Sequence, residues 1–436
     1  MSKREQRTAS KWSPCWAGLL LLIASATAVA DAIHEGVASC AGGTCHAATV
    51  PFGESGIRGD EYFIWQTQDV HGKAFATLGS ERSRKIGQAL GISPQTDRAC
   101  LSCHTESVPQ NLRGAKFQTS DGIGCETCHG GAQNWLKEHT RPGLSLAEKE
   151  RMGMFPTWRG AERAQLCLSC HQGNAERPIT HAMMAAGHPP LLFELDTFTS
   201  LQPPHYDRDA DYQRRKGGQS GMLDWQIGQG AAAKMYLEGL AEGRFQQGVF
   251  PELVHFDCAA CHHAMGAGRA MLGRNGAAAI GAVPLADTHL HWLGLWLHAV
   301  APERGRLWQQ QVAQLQTAAQ TSPTALKAQA AALLQQLRGD VLPRMQQQTP
   351  SATQLRQMLQ SLSSASRGAR AGDFATAQQA AMASVVFANA LAAQGAPISP
   401  AGRAAIDALY AAARSADAFP MQEYHRALNA LMSGIK

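Results

Sequence analysis

Ten cysteines of this chain fall into five pairs, and a histidine follows each pair at once. The pairs are Cys40/Cys45, Cys100/Cys103, Cys125/Cys128, Cys167/Cys170 and Cys258/Cys261, and the histidines are His46, His104, His129, His171 and His262. Four of the motifs read CLSCH, CETCH, CLSCH and CAACH; the first, CAGGTCH, has four residues between its cysteines. With 17 histidines in 436 residues, five such adjacencies arise by chance with a probability on the order of one in ten million. A fold for this chain must therefore present five copies of one Cys, Cys, His arrangement.

The chemistry that needs this arrangement is covalent haem attachment. Two thiols add to the two vinyl groups on one porphyrin edge, and the next histidine reaches under the ring to bind iron. A zinc site would need two Cys-x-x-Cys pairs to converge and no histidine after each. A disulfide framework leaves the histidines unexplained. The expectation is five haem c groups, with the ten cysteines as thioether donors and the five following histidines as proximal iron ligands. The wide first site joins the set because Cys40 and Cys45 would otherwise be loose thiols in an oxidising compartment. Gly42 and Gly43 give its longer loop the backbone freedom to bulge away from a ring. The alternative for that site is a local disulfide with His46 incidental.

The oxidising compartment is itself read from the first thirty residues. MSKREQRTASK is a basic stretch, and WAGLLLLIASATAVA is an apolar run of fifteen residues ending in Ala28-Val29-Ala30. This is the pattern of a secretory signal peptide over residues 1–30, cut before Asp31. Fifteen apolar residues fall short of the roughly 20 needed to span a bilayer, and Cys15 precedes the run, against a lipoprotein anchor. No later segment is apolar for long enough, so the expectation is a soluble periplasmic protein with no membrane span after cleavage. The leader holds a net +3 of the chain's +5, so the remainder is near neutral. That balance, with 6% aromatic residues, gives no support to nucleic-acid binding.

Residues 31–300 read as one pentahaem cytochrome c domain, rich in glycine, proline and loops, with little hydrophobic periodicity. Beyond about residue 301 the composition shifts to alanine, glutamine and leucine. Trp308, Val312 and Leu315 recur at helical spacing, as do Leu326, Ala330, Leu333, Leu337 and Val341. Ser322-Pro323 and Ser399-Pro400 read as an N-cap followed by proline at the first helical position. Pro343, Pro350, Gly372 and Gly395 punctuate the pattern. Residues 301–436 are thus a C-terminal helical bundle, read as a packing and docking scaffold. The fold class is mainly α: a loop-rich multihaem cytochrome c fold with that bundle appended.

Two imidazoles on one iron saturate it for electron transfer, whereas an open sixth position permits chemistry on a small molecule. The candidate distal ligands are His71, His139, His181, His188, and one of His289, His291 and His298. His263 is read as a neighbour without iron contact, and His34, His205, His255 and His425 as surface or supporting residues.

From about Cys40 to Leu195 the chain resembles the multihaem cytochrome c-554 family. The resemblance rests on Trp65 and His71 in a W-x5-H-x2-A pattern, on CLSCH, on GIGCETCHGGAQNWLKEH, and on a fourth motif followed by GHPPLLFEL. It implies a mostly helical fold with closely stacked haems, similar in packing to hydroxylamine oxidoreductase and pentahaem nitrite reductase. It also implies crossed ligation: His139 with His46, His71 with His171, and His188 or His181 with His129. In that family the second haem can lack a distal ligand, which singles out the His104 site as open. The chain departs from the family in its fifth motif, its stretched first motif and its long tail, and it has no Cys-x-x-Cys-Lys motif.

Two functions follow. One is a periplasmic electron carrier whose partners are redox proteins: a quinol-oxidising membrane cytochrome, a periplasmic reductase or an outer-surface conduit. The alternative is an oxidoreductase acting on a small nitrogen or sulfur species at one open haem; no residue is assigned a catalytic role. If all five motifs carry haem, intact-mass spectrometry of the processed protein will show an increment of about 616 Da per site, roughly 3.1 kDa in all.

Overall fold

The computed structural model describes residues 32–50, 52, 58–218, 220–243, 252–262, 283–365, 374–414 and 419–435. The expected signal peptide, His263 and Gly372 lie outside them. The fold is mainly helical. Among the described residues there is no strand, only two isolated bridges, His34 to Arg113 and Phe256 to Leu285, and no helix is long and apolar enough to cross a membrane.

Up to residue 218 the helices are short, and three of them end on a motif histidine: Arg98–His104, Cys125–His129 and Gly160–His171. Helical geometry explains the match. Cysteines at i and i+3 lie on one face of a helix, and a histidine at i+4 lies beside them. The helix Arg98–His104 starts where the Asp97 side chain accepts from the Ala99 N–H at 2.8 Å. The wider first motif is a turn, in which Gly42 O accepts from Cys45 N at 2.9 Å and Ala47 N at 3.0 Å.

One long helix, Gly221–Glu242, is buried along most of its length. It joins two cores. Ala232 belongs to a small cluster with Ala164, Leu168, Phe193 and Leu195, under the fourth motif. Trp225, Ala233, Leu237 and Leu240 belong to a much larger cluster built from Thr288–Val300 and the helices that follow. Its wide burial leaves no polar face, which is why no helical stripe marks it in the sequence. Glycines let its neighbours approach closely: a Cβ at Gly228 would lie 2.7 Å from Leu195 Cβ, and one at Gly230 would lie 2.6 Å from Leu342 Cδ2.

The C-terminal helices follow the expected stripes. Trp308, Leu315, Leu326, Ala330, Leu333, Leu337 and Val341 are fully buried. Ser322 and Ser399 cap their helices by accepting from Ala325 N and Gly402 N, each at 3.1 Å. Pro343 does not end a helix. It has no N–H to donate back, and the chain absorbs the lost bond as a π-helical turn, Leu337–Val341, before continuing as Leu342–Gln347. Thr288–Val300 and Pro302–Thr321 pack on each other, with Trp308 Nε1 donating to Leu290 O at 2.8 Å, so the core runs unbroken across residue 301.

A buried hydrogen-bond chain ties this core to the motif region. His289 Nδ1 meets Gln229 Oε1 at 2.8 Å. Gln229 Nε2 donates to Gln379 Oε1 at 2.8 Å, and Gln379 Nε2 donates to Phe193 O at 2.9 Å. Each amide is used at both ends, so the chain fixes the register of three helices against Phe193. Gln379→Leu leaves the Gln229 amide and the Phe193 carbonyl unpaired in the core. It should destabilise the protein by about 1–3 kcal/mol, read as a lower urea midpoint at unchanged m-value.

Candidate haem sites

Each of the five motif histidines faces a second histidine. The ring centroids are 6.1 Å apart for His46 and His139, 6.5 Å for His104 and His188, and 6.3 Å for His129 and His205. They are 6.2 Å apart for His171 and His71, and 6.1 Å for His262 and His181. A metal–imidazole bond of about 2.0–2.1 Å, with about 1.1 Å more to each ring centre, puts two rings trans on one metal about 6.3 Å apart. All five pairs fit a haem iron between them.

The ring nitrogens point the same way. Nδ1 is taken in five of the ten rings: His46 by Glu61 Oε2 (3.2 Å), His71 by Asp69 Oδ1 (2.9 Å), His104 by Ala74 O (3.1 Å), His139 by Trp135 O (3.0 Å) and His188 by Pro189 O (2.8 Å). An acceptor at Nδ1 fixes the proton there and leaves Nε2 for a metal. Burial pushes His129 and His171 down to about 4, so both are neutral imidazoles, the form that binds metal, at any pH well above that value. His46 is raised by its hydrogen bond to Glu61, and His71 by its hydrogen bond to Asp69. Burial pushes the Asp69 carboxyl up, but the hydrogen bonds from His71 outweigh it and hold the group at about 2.

The motifs also neighbour one another in a definite order. The Cys40 and Cys125 side chains lie close enough to perturb each other's titration, linking motifs one and three. Cys128 lies in the field of Cys167 and Cys170, linking three and four. Cys103 and Cys170 likewise perturb each other's titration, linking two and four. Arg177 fastens that last contact, donating to Ser102 O and to Ser169 Oγ at 2.9 Å each, so one guanidinium holds the serines of both CLSCH motifs. Motif five reaches motif two through a single segment that carries both His181 and His188.

Glu126, the glutamate of CETCH, is a fastener as well. Its carboxylate accepts from Glu35 N (2.9 Å), Gly36 N (2.7 Å) and Ala132 N (2.6 Å). That pins the strand-like approach to motif one against motif three. His34 Nδ1 and Glu106 Oε1 meet beside it. The Trp65 and His71 segment is held the same way: Trp65 Nε1 donates to Ile123 O at 2.8 Å, and Ile123 N donates to His71 O at 3.1 Å.

Residues 39–130, which hold the first three motifs, match the family described as cytochrome c554 and c-prime. The likeness is confined to these residues, well under half of the chain. The chain is also 23% identical over 192 residues to cytochrome c-554 of Nitrosomonas europaea, covering 41% of this chain and 74% of that protein. No solved structure matches the chain. The mainly helical, loop-rich architecture is consistent with a cytochrome c554 domain.

Within and beyond that domain, the structure brings His139 to His46 and His71 to His171. It does not bring His188 or His181 to His129. The helix His181–Ala185 is capped by Thr180, and Glu252 Oε1 accepts from His181 N at 2.7 Å, which turns His181 to the fifth motif. Gly187, at φ 110°, then reverses the chain, and its carbonyl accepts from Arg82 Nε and Nη2 at 2.9 and 2.7 Å. This places His188 opposite His104, the site the resemblance implied to be open. His205 stands opposite His129. No local pattern in QPPHYDRD marks that residue, since its partner lies far upstream.

The segment holding His289, His291 and His298 serves the large core instead. Leu290, Trp292, Leu293, Trp296 and Leu297 of its helix are fully buried. His289 binds Gln229, His291 lies against Trp292 at 6.1 Å, and His298 is exposed. The chain just before this helix runs beside the approach to the fifth motif, where Asp257 N donates to Pro284 O at 2.9 Å and Ala286 N to His255 O at 2.8 Å, but the helix itself turns into the core. Replacing His205 with alanine should leave the haem content unchanged and turn about one-fifth of the iron high-spin, measured by electron paramagnetic resonance of the oxidised protein.

Proposed function

We propose that this chain is a periplasmic electron carrier holding five haem c groups, each iron bound by two histidines. The observation that carries the reading is the five-fold pairing: each motif histidine stands at metal-bridging distance from a second imidazole. When bound, haem supplies a one-electron ferric–ferrous couple. The cysteines Cys40, Cys45, Cys100, Cys103, Cys125, Cys128, Cys167, Cys170, Cys258 and Cys261 serve as tethers. His46, His104, His129, His171 and His262 are the proximal ligands, and His139, His188, His205, His71 and His181 the distal ones.

Two rigid imidazoles per site hold the coordination fixed between oxidation states and exclude a substrate, which suits transfer without chemistry. Contacts run from one to three to four to two, and the segment carrying His188 and His181 joins two to five, which supports a continuous series rather than isolated sites. The leader pattern and the pairing of all ten cysteines support the periplasm as the compartment. The partners are redox proteins, a quinol-oxidising membrane cytochrome or a periplasmic reductase among them. All five sites fall within residues 31–300, and the helices Gly221–Glu242 and Thr288–Val300 join those after residue 301 in one scaffold, through the His289, Gln229, Gln379 and Phe193 chain. The oxidoreductase alternative needs an open site, and His188 beside His104 speaks against it.

The test is the electron paramagnetic resonance spectrum of the oxidised holoprotein, before and after addition of nitrite. The expected spectrum contains only low-spin signals and does not respond. A high-spin signal that shifts with nitrite would overturn the carrier reading.

A further inference from the structure

Two of the ten paired imidazoles are backed by a carboxylate, and they belong to different sites. His46 Nδ1 meets Glu61 Oε2 at 3.2 Å, and His71, opposite His171, meets Asp69 Oδ1 at 2.9 Å. The Asp69 group is the more rigid. It is 5% exposed, its Oδ1 also accepts from His71 N at 3.0 Å, and its Oδ2 accepts from Gln202 Nε2 at 3.1 Å. The His104 and His188 pair has no such partner. Both of its Nδ1 atoms donate to neutral backbone carbonyls, Ala74 O and Pro189 O.

We infer that Glu61 and Asp69 are potential-setting residues, which hold the first and fourth sites at lower reduction potential than the second. This rests on the bis-histidine reading above. Ferric iron carries one more positive charge than ferrous iron, so a fixed carboxylate beside the ligand favours the oxidised form by Coulomb attraction. The same hydrogen bond draws the Nδ1 proton toward oxygen, making Nε2 a stronger donor to the more highly charged metal. Both effects have one sign. A neutral carbonyl supplies the second effect weakly and the first hardly at all.

Arg177 acts in the opposite sense, favouring the reduced form, but it contacts Ser102 and Ser169 alike and so affects the second and fourth sites together. The difference between them lies with Asp69 at the fourth site and with Arg82, whose charge acts on His188 at the second and has the same sense, raising the second site relative to the fourth. At the first site the opposing cation is Lys149, whose charge acts on His139 across from the Glu61 carboxylate.

The experiment is a spectroelectrochemical titration of the holoprotein and of two isosteric variants, Asp69→Asn and Glu61→Gln. Each keeps an acceptor oxygen for Nδ1 and removes the charge. Each variant should retain five haem masses and a fully low-spin spectrum while the wave of its own site moves furthest to higher potential; the third site, on whose His205 both carboxylates act from farther off, moves less. The wave that moves furthest in Asp69→Asn must differ from the one that moves furthest in Glu61→Gln, and the double variant should show both shifts. The inference is overturned if no wave moves, if both variants move the same wave furthest, or if either variant loses a haem or gains a high-spin signal, since the carboxylate would then only position the ligand. A wild-type mass short of five haems would instead sink the bis-histidine reading on which the inference stands.

Discussion

Two imidazole rings, about 6 Å apart with Nδ1 turned away from each other where its partner is known, form the contact on which the first half of this molecule depends. The small apolar cluster under the fourth motif has five fully enclosed members, too few to hold some two hundred loop-rich residues in place. The short helices are instead fastened by polar contacts that converge on the motifs: Glu126 on three backbone N–H groups, Arg177 between two serines, Trp65 on Ile123. Each fastener sets the position of a histidine or a cysteine. The sites are therefore built before any metal chemistry is considered, and the metal would complete them.

The second half works differently. Its core is made of leucine, alanine and tryptophan from helices that run on both sides of residue 301, and its stability follows from apolar burial. The helix Gly221–Glu242 stands in both worlds. One side meets Leu168 and Leu195 beneath the fourth motif, and the other meets the bundle. The amide chain from His289 to the Phe193 carbonyl crosses the same boundary. Phe193 stacks on His171 at 5.2 Å, so the placement of an imidazole is coupled to the packing of helices two hundred residues further along the chain.

What the residues disclosed in advance follows from the range of the forces involved. The helical stripes from Trp308 to Val341 and the two serine caps are local, and they were legible. The motif cysteines and histidines stood out because covalent attachment would act within a few adjacent residues. The long central helix was not, because burial on most faces erases periodicity. Among the second histidines, His71, His139, His181 and His188 stood out as candidates, but the resemblance gave the observed partner only for His71 and His139; His181 and His188 lie opposite other motifs than the one it implied. His205 gave no signal, since its partner is set by the tertiary fold. The histidines of THLHWLGLWLH misled for the converse reason: they lie near a motif in sequence, while their helix is committed to the apolar core.

The paired histidines are separated by 76 to 100 residues, and their spans overlap. His46 to His139, His71 to His171, His104 to His188, His129 to His205 and His181 to His262 cover the chain like shingles. No break between residues 46 and 262 falls outside every span. Such a region cannot be divided into modules that evolve, swap or survive separately. A cut anywhere within it parts at least one pair, and the fifth motif is tied in at the margin through His181.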